Sequence, residues 1–587
     1  MTLRSSGVAG VRPHCRVNRL ARDLSPRFTG SPRRSVRSPR GRGCAPDDRF
    51  RTSGATPHIT DGAAVASSGL LVGIGASPAW AAPADDCDVA NTVTAPGEGA
   101  AEIQALLDAD TATVCLSGTF TLTAPLTFDH DLVIFGLDSA VLDGDGVTNI
   151  LEGTSGARLS AGYLSFVNGV GTSGGAITVD GDLAVGSSSF TGNLATAGGG
   201  AIFADGDGSL EVEIFDSTFT NNSTGLSGAP GGAVFADGES TVYIFDSTFD
   251  GNQAGEFGGA VAGYVVLAET STFIDNEAEF GGALYGFATL TVESTFAENA
   301  AVQGGANASV YYAAVVDSTF VGNTAEEIGG ALVAADFAVI QNSTFVDNDG
   351  GEVGGALATA GGSITFTTFL GNEADEADAV MIFEEGFGSG EFDDLELGGN
   401  IFAGTSGNSQ LRLDSPGDDS ASFTDLGGNV FSTSRAAESD LEPAHESSLF
   451  SRSVEDIFGP NPAPTDNGGA TETVALVAGS PAIDAVPDID VEWIFTADEV
   501  FLEDFAASSD SFAAVDDYFA VADDEETFDQ RGVKRTALAD AGSFEYGVAE
   551  LASTGPENAS QATWFAAVLV ALGSLVLLVS RRSRRLS

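Results

Sequence analysis

The sequence predicts an all-β chain wound as a right-handed parallel β-helix of about twelve coils, and three observations predict it. First, a Phe with an Asn three residues later recurs at Phe190, Phe219, Phe249, Phe273, Phe296, Phe320, Phe345 and Phe369, paired with Asn193, Asn222, Asn252, Asn276, Asn299, Asn323, Asn348 and Asn372. Second, Gly-Gly-Ala follows seven of these Asn residues, ending at Ala201, Ala233, Ala260, Ala283, Ala306, Ala331 and Ala356. Third, successive Phe residues lie 29, 30, 24, 23, 24, 25 and 24 positions apart. Between them run short β-branched or aromatic stretches such as Val242-Tyr243-Ile244-Phe245, bounded by Gly and Asn. Runs bounded in this way read as strands and turns, not helices.

A segment of roughly 24 residues is too short to bury a core alone, so each must stack on its neighbours. One coil per repeat sets equivalent residues about 4.8 Å apart, the spacing of parallel strands. The Phe residues then form an interior stack and the Asn residues a ladder of amides bonded one to the next. The Gly-Gly pair fits a corner that needs unusual backbone angles or close approach of the next coil. The two longer intervals are expected as loops pushed out of the Phe190 and Phe219 coils. The Phe-x-x-Asn and Gly-Gly-Ala-Ile/Val/Leu pair, as in Gly200-Ala201-Ile202 and Gly232-Ala233-Val234, resembles the repeat of polymorphic outer-membrane proteins. The resemblance implies a β-helical surface passenger with an adhesive role. Members of that family end in an outer-membrane barrel, which the C-terminal sequence here does not resemble.

Residues 1–81 read as a leader and signal peptide. Positions 1–62 are Arg-, Ser- and Pro-rich, an apolar run spans Ala63 to Pro78, and Ala79-Trp80-Ala81 is an export cleavage site that makes Ala82 the new N-terminus. From Ala82 to Thr554 there are seven basic residues against 79 acidic ones, a formal charge of −72. Such a surface repels nucleic acid and anionic lipid, so nucleic acid is excluded as a partner. No cofactor is expected; calcium at acidic turns stays an open alternative, with no metal ligands assigned. Asp143-Gly144-Asp145-Gly146 is expected as a turn because it lacks the full calcium-loop pattern. Cys87 and Cys115, the two cysteines after the leader, are expected to form one disulfide stapling the first coil.

Residues 82–150 are expected to hold an N-terminal cap and the first coils. Ala101 to Leu107 has helical apolar spacing and suits a cap over the open core, while Thr113–Thr123 and Leu132–Gly136 read as the first strands. This opening resembles that of pectate-lyase-like chains. Repeats occupy 151–410, and 411–546 hold the final coils and a cap interrupted by an acidic insert at 487–526. Asp466-Asn467-Gly468-Gly469, Gly479-Ser480-Pro481-Ala482-Ile483-Asp484, Asp529-Gln530-Arg531-Gly532 and Asp540 to Glu545 are similar to the choice-of-anchor Q segment, which implies a C-terminal cap before an anchor. Asp529 and Arg531 are expected as a structural ion pair closing the last coil.

Leu551-Ala552-Ser553-Thr554-Gly555 opens a linker at 547–563, followed by an apolar transmembrane helix at 564–579 and a basic cytoplasmic tail at 580–587. This order resembles the sorting signal of Gram-positive cell-wall proteins, in the variant with Ala at the second position. The resemblance implies a class E-like sortase that cuts between Thr554 and Gly555 and joins the chain to peptidoglycan, with the helix as a membrane anchor before sorting. It implies an extracellular, wall-attached protein.

No catalytic residues are assigned and no enzyme is expected. From position 159 to 411 there is no Lys, Arg or His, whereas pectate-lyase-like and polygalacturonase-like sites need basic groups beside their acids. Carboxylate-only polysaccharide hydrolysis or lysis is the alternative; it requires two acids about 5–9.5 Å apart, and Asp216, Asp246, Glu293 and Asp317 recur three residues before the Phe. The lone His130 reads as a strand-end surface residue. The favoured reading is an adhesin or surface-display scaffold binding glycan or host protein. An adhesive patch is expected on the loops before Phe219 and Phe249 or in the 487–526 insert.

Overall fold

The phenylalanines dictate the architecture, because eleven successive ring pairs link twelve rings from Phe166 to Phe450 into one column. Their centroids are 4.6–5.2 Å apart. That is one parallel-strand spacing per ring, so each ring belongs to one turn of a parallel β-solenoid of about twelve turns. The column continues past Phe369 through Phe402, Phe431 and Phe450. The computed structural model describes residue 87 and residues 90–546, except 96–98, 207–209, 226–227, 384–393, 405–407, 414–421, 435–437, 442, 487–528, 532–538 and 545. The leader, the linker with Leu551 to Gly555, the 564–579 segment, the basic tail and the acidic insert lie outside the described residues. Among the described residues no helix is long and apolar enough to cross a membrane.

Thirty-two strands form one hydrogen-bonded sheet that winds around the core. Pairing is parallel and sets like on like: Phe190↔Phe219↔Phe249, Val212↔Val242↔Val266 and Ile202↔Val234↔Val261. Side chains alternate across each strand, so Val266 and Ala268 enter the core while Val265 and Leu267 face outward.

Two polar ladders tie the coils at the corners. Each Asn from Asn193 to Asn348 donates its backbone N–H to Oδ1 of the next Asn at 3.0 Å and its Nδ2 to the same oxygen at 2.9–3.0 Å. The second Nδ2 proton goes to the carbonyl of the Phe one coil back, as from Asn276 to Phe249 at 3.0 Å. A second ladder, absent from the sequence reading, runs through the Ser two residues before each Phe from Phe190 to Phe345. The backbone N–H of Ser217 donates to Ser247 Oγ, that of Ser247 to Ser271 Oγ, and that of Ser271 to Ser294 Oγ, each at 3.1 Å. Each hydroxyl in turn donates to the carbonyl two residues back, as from Ser217 to Phe215 at 2.7 Å.

The Gly-Gly pair divides two requirements between its members. The first glycine of each pair, from Gly199 to Gly354, has φ of 52–66°, the left-handed region that a side chain disfavours. The second has no such angle; a Cβ on Gly200, Gly232, Gly259, Gly282, Gly305 or Gly330 would lie 1.8–2.1 Å from the carbonyl oxygen of its counterpart in the next coil. The two long repeats place their extra residues at corners, between the strands Ile202–Ala204 and Glu211–Phe215, and between Ser223–Thr224 and Val234–Ala236.

At the start, the helix Ala100–Leu107 buries Ile103 and Leu107, and Gln104 exchanges hydrogen bonds with the backbone of Thr127. Two strands not foreseen are present: Thr92–Thr94, which pairs with Thr113–Thr121, and Leu126–Phe128; the strand expected at Leu132–Gly136 runs further, over Leu132–Asp143. Cys87 and Cys115 are joined as a disulfide at this first coil. At the other end, side-chain carboxylates replace the missing next strand. Glu438, fully buried, accepts from the backbone N–H groups of Gln410 and Leu411 and from the hydroxyls of Ser409 and Thr433. Asp440 accepts from Leu413 N–H at 3.1 Å.

The segment from 454 onward differs from the expected end cap: it packs along the flank of the solenoid. Ile457, Phe458, Val474, Leu476 and Ala541 cluster with the outward-facing Val346, Leu370 and Ala403. Gln530 Nε2 donates to Thr319 Oγ1 at 2.9 Å, and Thr344 Oγ1 donates to Gln530 Oε1 at 2.6 Å. The buried Asp529–Arg531 pair, at 2.6 Å with Arg531 over the Phe544 ring, therefore holds a flanking layer instead of closing the last coil. The physical reason lies in the residue after each Phe, which changes from Thr191, Thr220 and Asp250 to Val321, Val346 and Leu370 and so needs cover.

Asn276→Ala, which strips partners from Asn252, Asn299 and the Phe249 carbonyl, is expected to cost about 3 kcal/mol. Glu279→Gln, at an exposed position of the same coil, should stay within about 0.5 kcal/mol. Urea unfolding of the two variants checks this, and equal midpoints would show that the ladder contributes nothing special.

Candidate functional site on the outer wall

The acids that recur three residues before each Phe are placed by backbone geometry. Asp216, Asp246, Glu293 and Asp317 have φ of 45–48°, at the corner where each coil turns into its Phe strand. Asp and Asn tolerate this left-handed conformation better than most residues, which accounts for their recurrence without invoking catalysis. Asp143-Gly144-Asp145-Gly146 is likewise a turn: Asp145 N–H donates to Asp143 Oδ1 at 2.9 Å, and the same oxygen accepts from Asn168.

Two carboxylate groups stand apart on the outward faces of the strands. In the first, Glu213 lies in the strand Glu211–Phe215, two residues along the same face from Glu211, with Asp182 one coil earlier. Burial, then repulsion from Glu211 and Asp182, pushes the Glu213 carboxyl up to about 7. Glu211 is raised as well, by burial and Asp182, against the counter-pull of Arg158. Arg158 pairs with Asp182 at 3.2 Å. Tyr243, directly opposite Glu213 in register, has its hydroxyl pushed up to about 12 by burial and by the same two glutamates. In the second group Glu269 sits in register between Phe245 and Val292, and burial, then Glu293 and Asp246, raises it to about 7.

Sequence reasoning found Asp246 and Glu293 but missed Glu213 and Glu269, because Asp182, Asp246 and Glu293 lie 23–31 residues from them and approach only through the strand register. Chemically, each holds a carboxyl raised to about 7 beside further carboxyls, and an acid that keeps its proton near neutrality is what a proton donor requires.

Beside these acids the wall turns apolar. Tyr264, Phe287 and Tyr311 stack at 5.0 and 5.3 Å on the outer side, half-buried. Val265, Leu290, Tyr312, Ala314 and Phe337 form an adjoining buried cluster separate from the core. Further aromatic pairs outside the core column lie on earlier coils, Phe203–Phe235 at 5.5 Å and Phe215–Phe245 at 5.3 Å. Among the described residues the exposed large hydrophobics are the scattered Val147, Tyr163 and Tyr546.

The fold and these surfaces define a parallel β-solenoid with an acidic, partly aromatic wall. Residues 187–205, which cover the corner, the Phe190 strand and the Gly-Gly-Ala turn, match the family model of the Chlamydia polymorphic membrane protein (Chlamydia_PMP) repeat. No curated protein matches the chain. The repeat is therefore of the polymorphic-membrane-protein type.

The raised carboxyls set a pH dependence. A folded carboxyl near 7 binds a proton that its unfolded counterpart, near 4.5, has already released, so stability falls as pH rises through that window and is fully diminished above it. Glu269→Gln is expected to melt higher than the parent chain at alkaline pH and level with it below about pH 4.5. Thermal unfolding across pH checks this; a constant gap at all pH values contradicts it.

Proposed function

We propose that this chain is a non-enzymatic cell-surface β-helix protein, covalently attached to a Gram-positive cell wall by a class E-like sortase, that displays its solenoid wall to glycan or protein ligands. The observation that carries the surface assignment is the polymorphic-membrane-protein type repeat at 187–205, set in an unbroken stack of coils. The anchoring half rests on sequence: Leu551-Ala552-Ser553-Thr554-Gly555, an apolar run, then Arg581-Arg582-Ser583-Arg584-Arg585. In this reading the apolar run holds the chain in the membrane while sortase cleaves after Thr554. A host that exports and sorts the chain would show it in the peptidoglycan fraction, and replacing Thr554 and Gly555 by Ala should release it to the membrane fraction or the medium. Undiminished wall attachment of that double variant would refute sortase anchoring.

As a ligand-binding wall, the Tyr264–Phe287–Tyr311 stack offers a half-buried apolar strip of ring edges, with the hydroxyls of two tyrosines, against which a glycan or protein can pack. A second reading, carboxylate-based polysaccharide hydrolysis, is favoured by one observation, the near-neutral Glu213 beside Glu211 and Asp182. Polysaccharides incubated with the purified chain separate the two. Binding without new reducing ends supports display, whereas product formation that Glu213→Gln abolishes supports hydrolysis.

A further inference from the structure

His130 sits at the corner between the strands Leu126–Phe128 and Leu132–Asp143, facing the residues that leave the N-terminal helix. Its Nε2 lies 3.3 Å from the carbonyl oxygen of Thr111. A carbonyl only accepts, so that contact is a hydrogen bond when Nε2 carries the proton, and in the neutral ring the lone pair is then on Nδ1. Nδ1 is buried and has no hydrogen-bond partner. What it faces instead is a pair of carboxylates: Asp110 Oδ1 at 3.7 Å and Asp129 Oδ1 at 3.8 Å. One ligand atom from each residue falls within 4.8 Å of the others.

In the neutral ring a lone pair and two carboxylates converge here without a donor among them. Such a convergence of acceptors attracts a cation, and the buried Nδ1 is closed to the bulk water that could serve in its place. Asp110 cannot swing its backbone away, since it is fixed just past the helix by its N–H bond to Leu107 and holds φ of 52°. We infer that Asp110, Asp129 and His130 form a binding site for a divalent cation of the zinc class, which ties the N-terminal cap to the first full coil.

The donor set selects the metal. Imidazole nitrogen with two carboxylate oxygens suits zinc and its first-row neighbours, whereas calcium and magnesium favour all-oxygen sites. Tetrahedral zinc with bonds near 2.1 Å brings its ligand atoms to about 3.4 Å from one another, so each Asp oxygen, now 3.7 or 3.8 Å from Nδ1, must close on that nitrogen by only a few tenths of an ångström. Both are free to do so, with side chains 80% and 72% exposed. The Thr111 carbonyl supplies the outer support that metal-bound histidines use, fixing the tautomer and the ring plane from the far side. Two carboxylates balance the charge of the ion, and water completes the coordination. The site joins two pieces of chain: the turn at Asp110-Thr111, which leads from the helix into the strand Thr113–Thr121 that carries Cys115, and the corner at Asp129-His130. It reinforces the same junction as the Cys87–Cys115 disulfide.

Zinc chloride titrated into the purified, metal-stripped full chain at neutral to mildly alkaline pH tests this, read by calorimetry and by thermal melting. The expected result is saturable one-site binding and a Tm that climbs with the logarithm of free zinc. Cobalt(II) should give a visible absorption band. His130→Gln, which keeps a donor for Thr111, should abolish the zinc response and the cobalt band; Asp129→Asn, at an exposed position, should weaken both. The inference is overturned by a parent chain indifferent to zinc, or by an undiminished response in His130→Gln. It is equally overturned if calcium chloride binds as tightly as zinc, which would mark a site made of carboxylates alone. A Tm that falls as pH rises, without any zinc effect, would show that a proton fills the place and would also overturn it.

Discussion

Each inward or corner side chain of this solenoid must tolerate its own copy one strand spacing away, and the rest of the structure depends on that constraint. Few residue types satisfy it. Phe does, because flat rings stack at about the coil spacing, 4.6–5.2 Å here. Asn does, because an amide carries donor and acceptor together and can bond to an identical amide above and below. Ser does so by accepting from one coil's backbone and donating within its own. Glycine does so by having nothing to clash, which is why the second Gly of each pair can approach its successor's carbonyl.

Acids are the residues that fail this test, and the outer wall shows the consequence. A carboxylate stacked on a carboxylate gains repulsion where Asn gains a bond, and the strain is relieved by keeping a proton. Glu213 and Glu269 have no acid directly above or below them in register; burial raises them first, and the neighbouring acids Glu211, Asp182, Glu293 and Asp246 raise them further. At corners the acids point outward from left-handed turns, and there Ser187 Oγ donates to Asp216 at 2.9 Å, while Glu293 is raised by burial and by Asp246. The large negative charge of the chain is thus carried mainly where water screens it, with two crowded exceptions on the strand faces.

Legibility in the sequence followed the same line. Phe-x-x-Asn and Gly-Gly-Ala were readable because they repeat at fixed spacing, and the roles they imply are those observed, with the two glycines dividing the angle and the close approach between them. The Ser ladder was written in the same repeat but obscured, because Ser before Thr-Phe reads equally as strand composition. The flanking layer was harder to see. Its signal is the change from Thr220 and Asp250 to Val346 and Leu370 at one outward position, visible only once the coils are aligned in register. The Glu213 and Glu269 groups required burial as well as register, and burial is a property of the folded wall.

How the stack ends follows from how it propagates. A coil whose neighbour is missing exposes backbone N–H groups and ring faces, an invitation to pair with any free strand edge. At the start the chain covers the core with a helix and pairs the short strand Thr92–Thr94 on the first edge. At the finish it uses carboxylates: Glu438 takes two backbone N–H groups and two hydroxyls, and Asp440 takes one more N–H. An acid is a poor member of a ladder but a good terminator, because it accepts several hydrogen bonds without offering a donor for a further coil. The raised Glu438 carboxyl, driven by burial and opposed by those four bonds, records the balance. The property that expels acids from the interior of the stack is therefore the property that closes it.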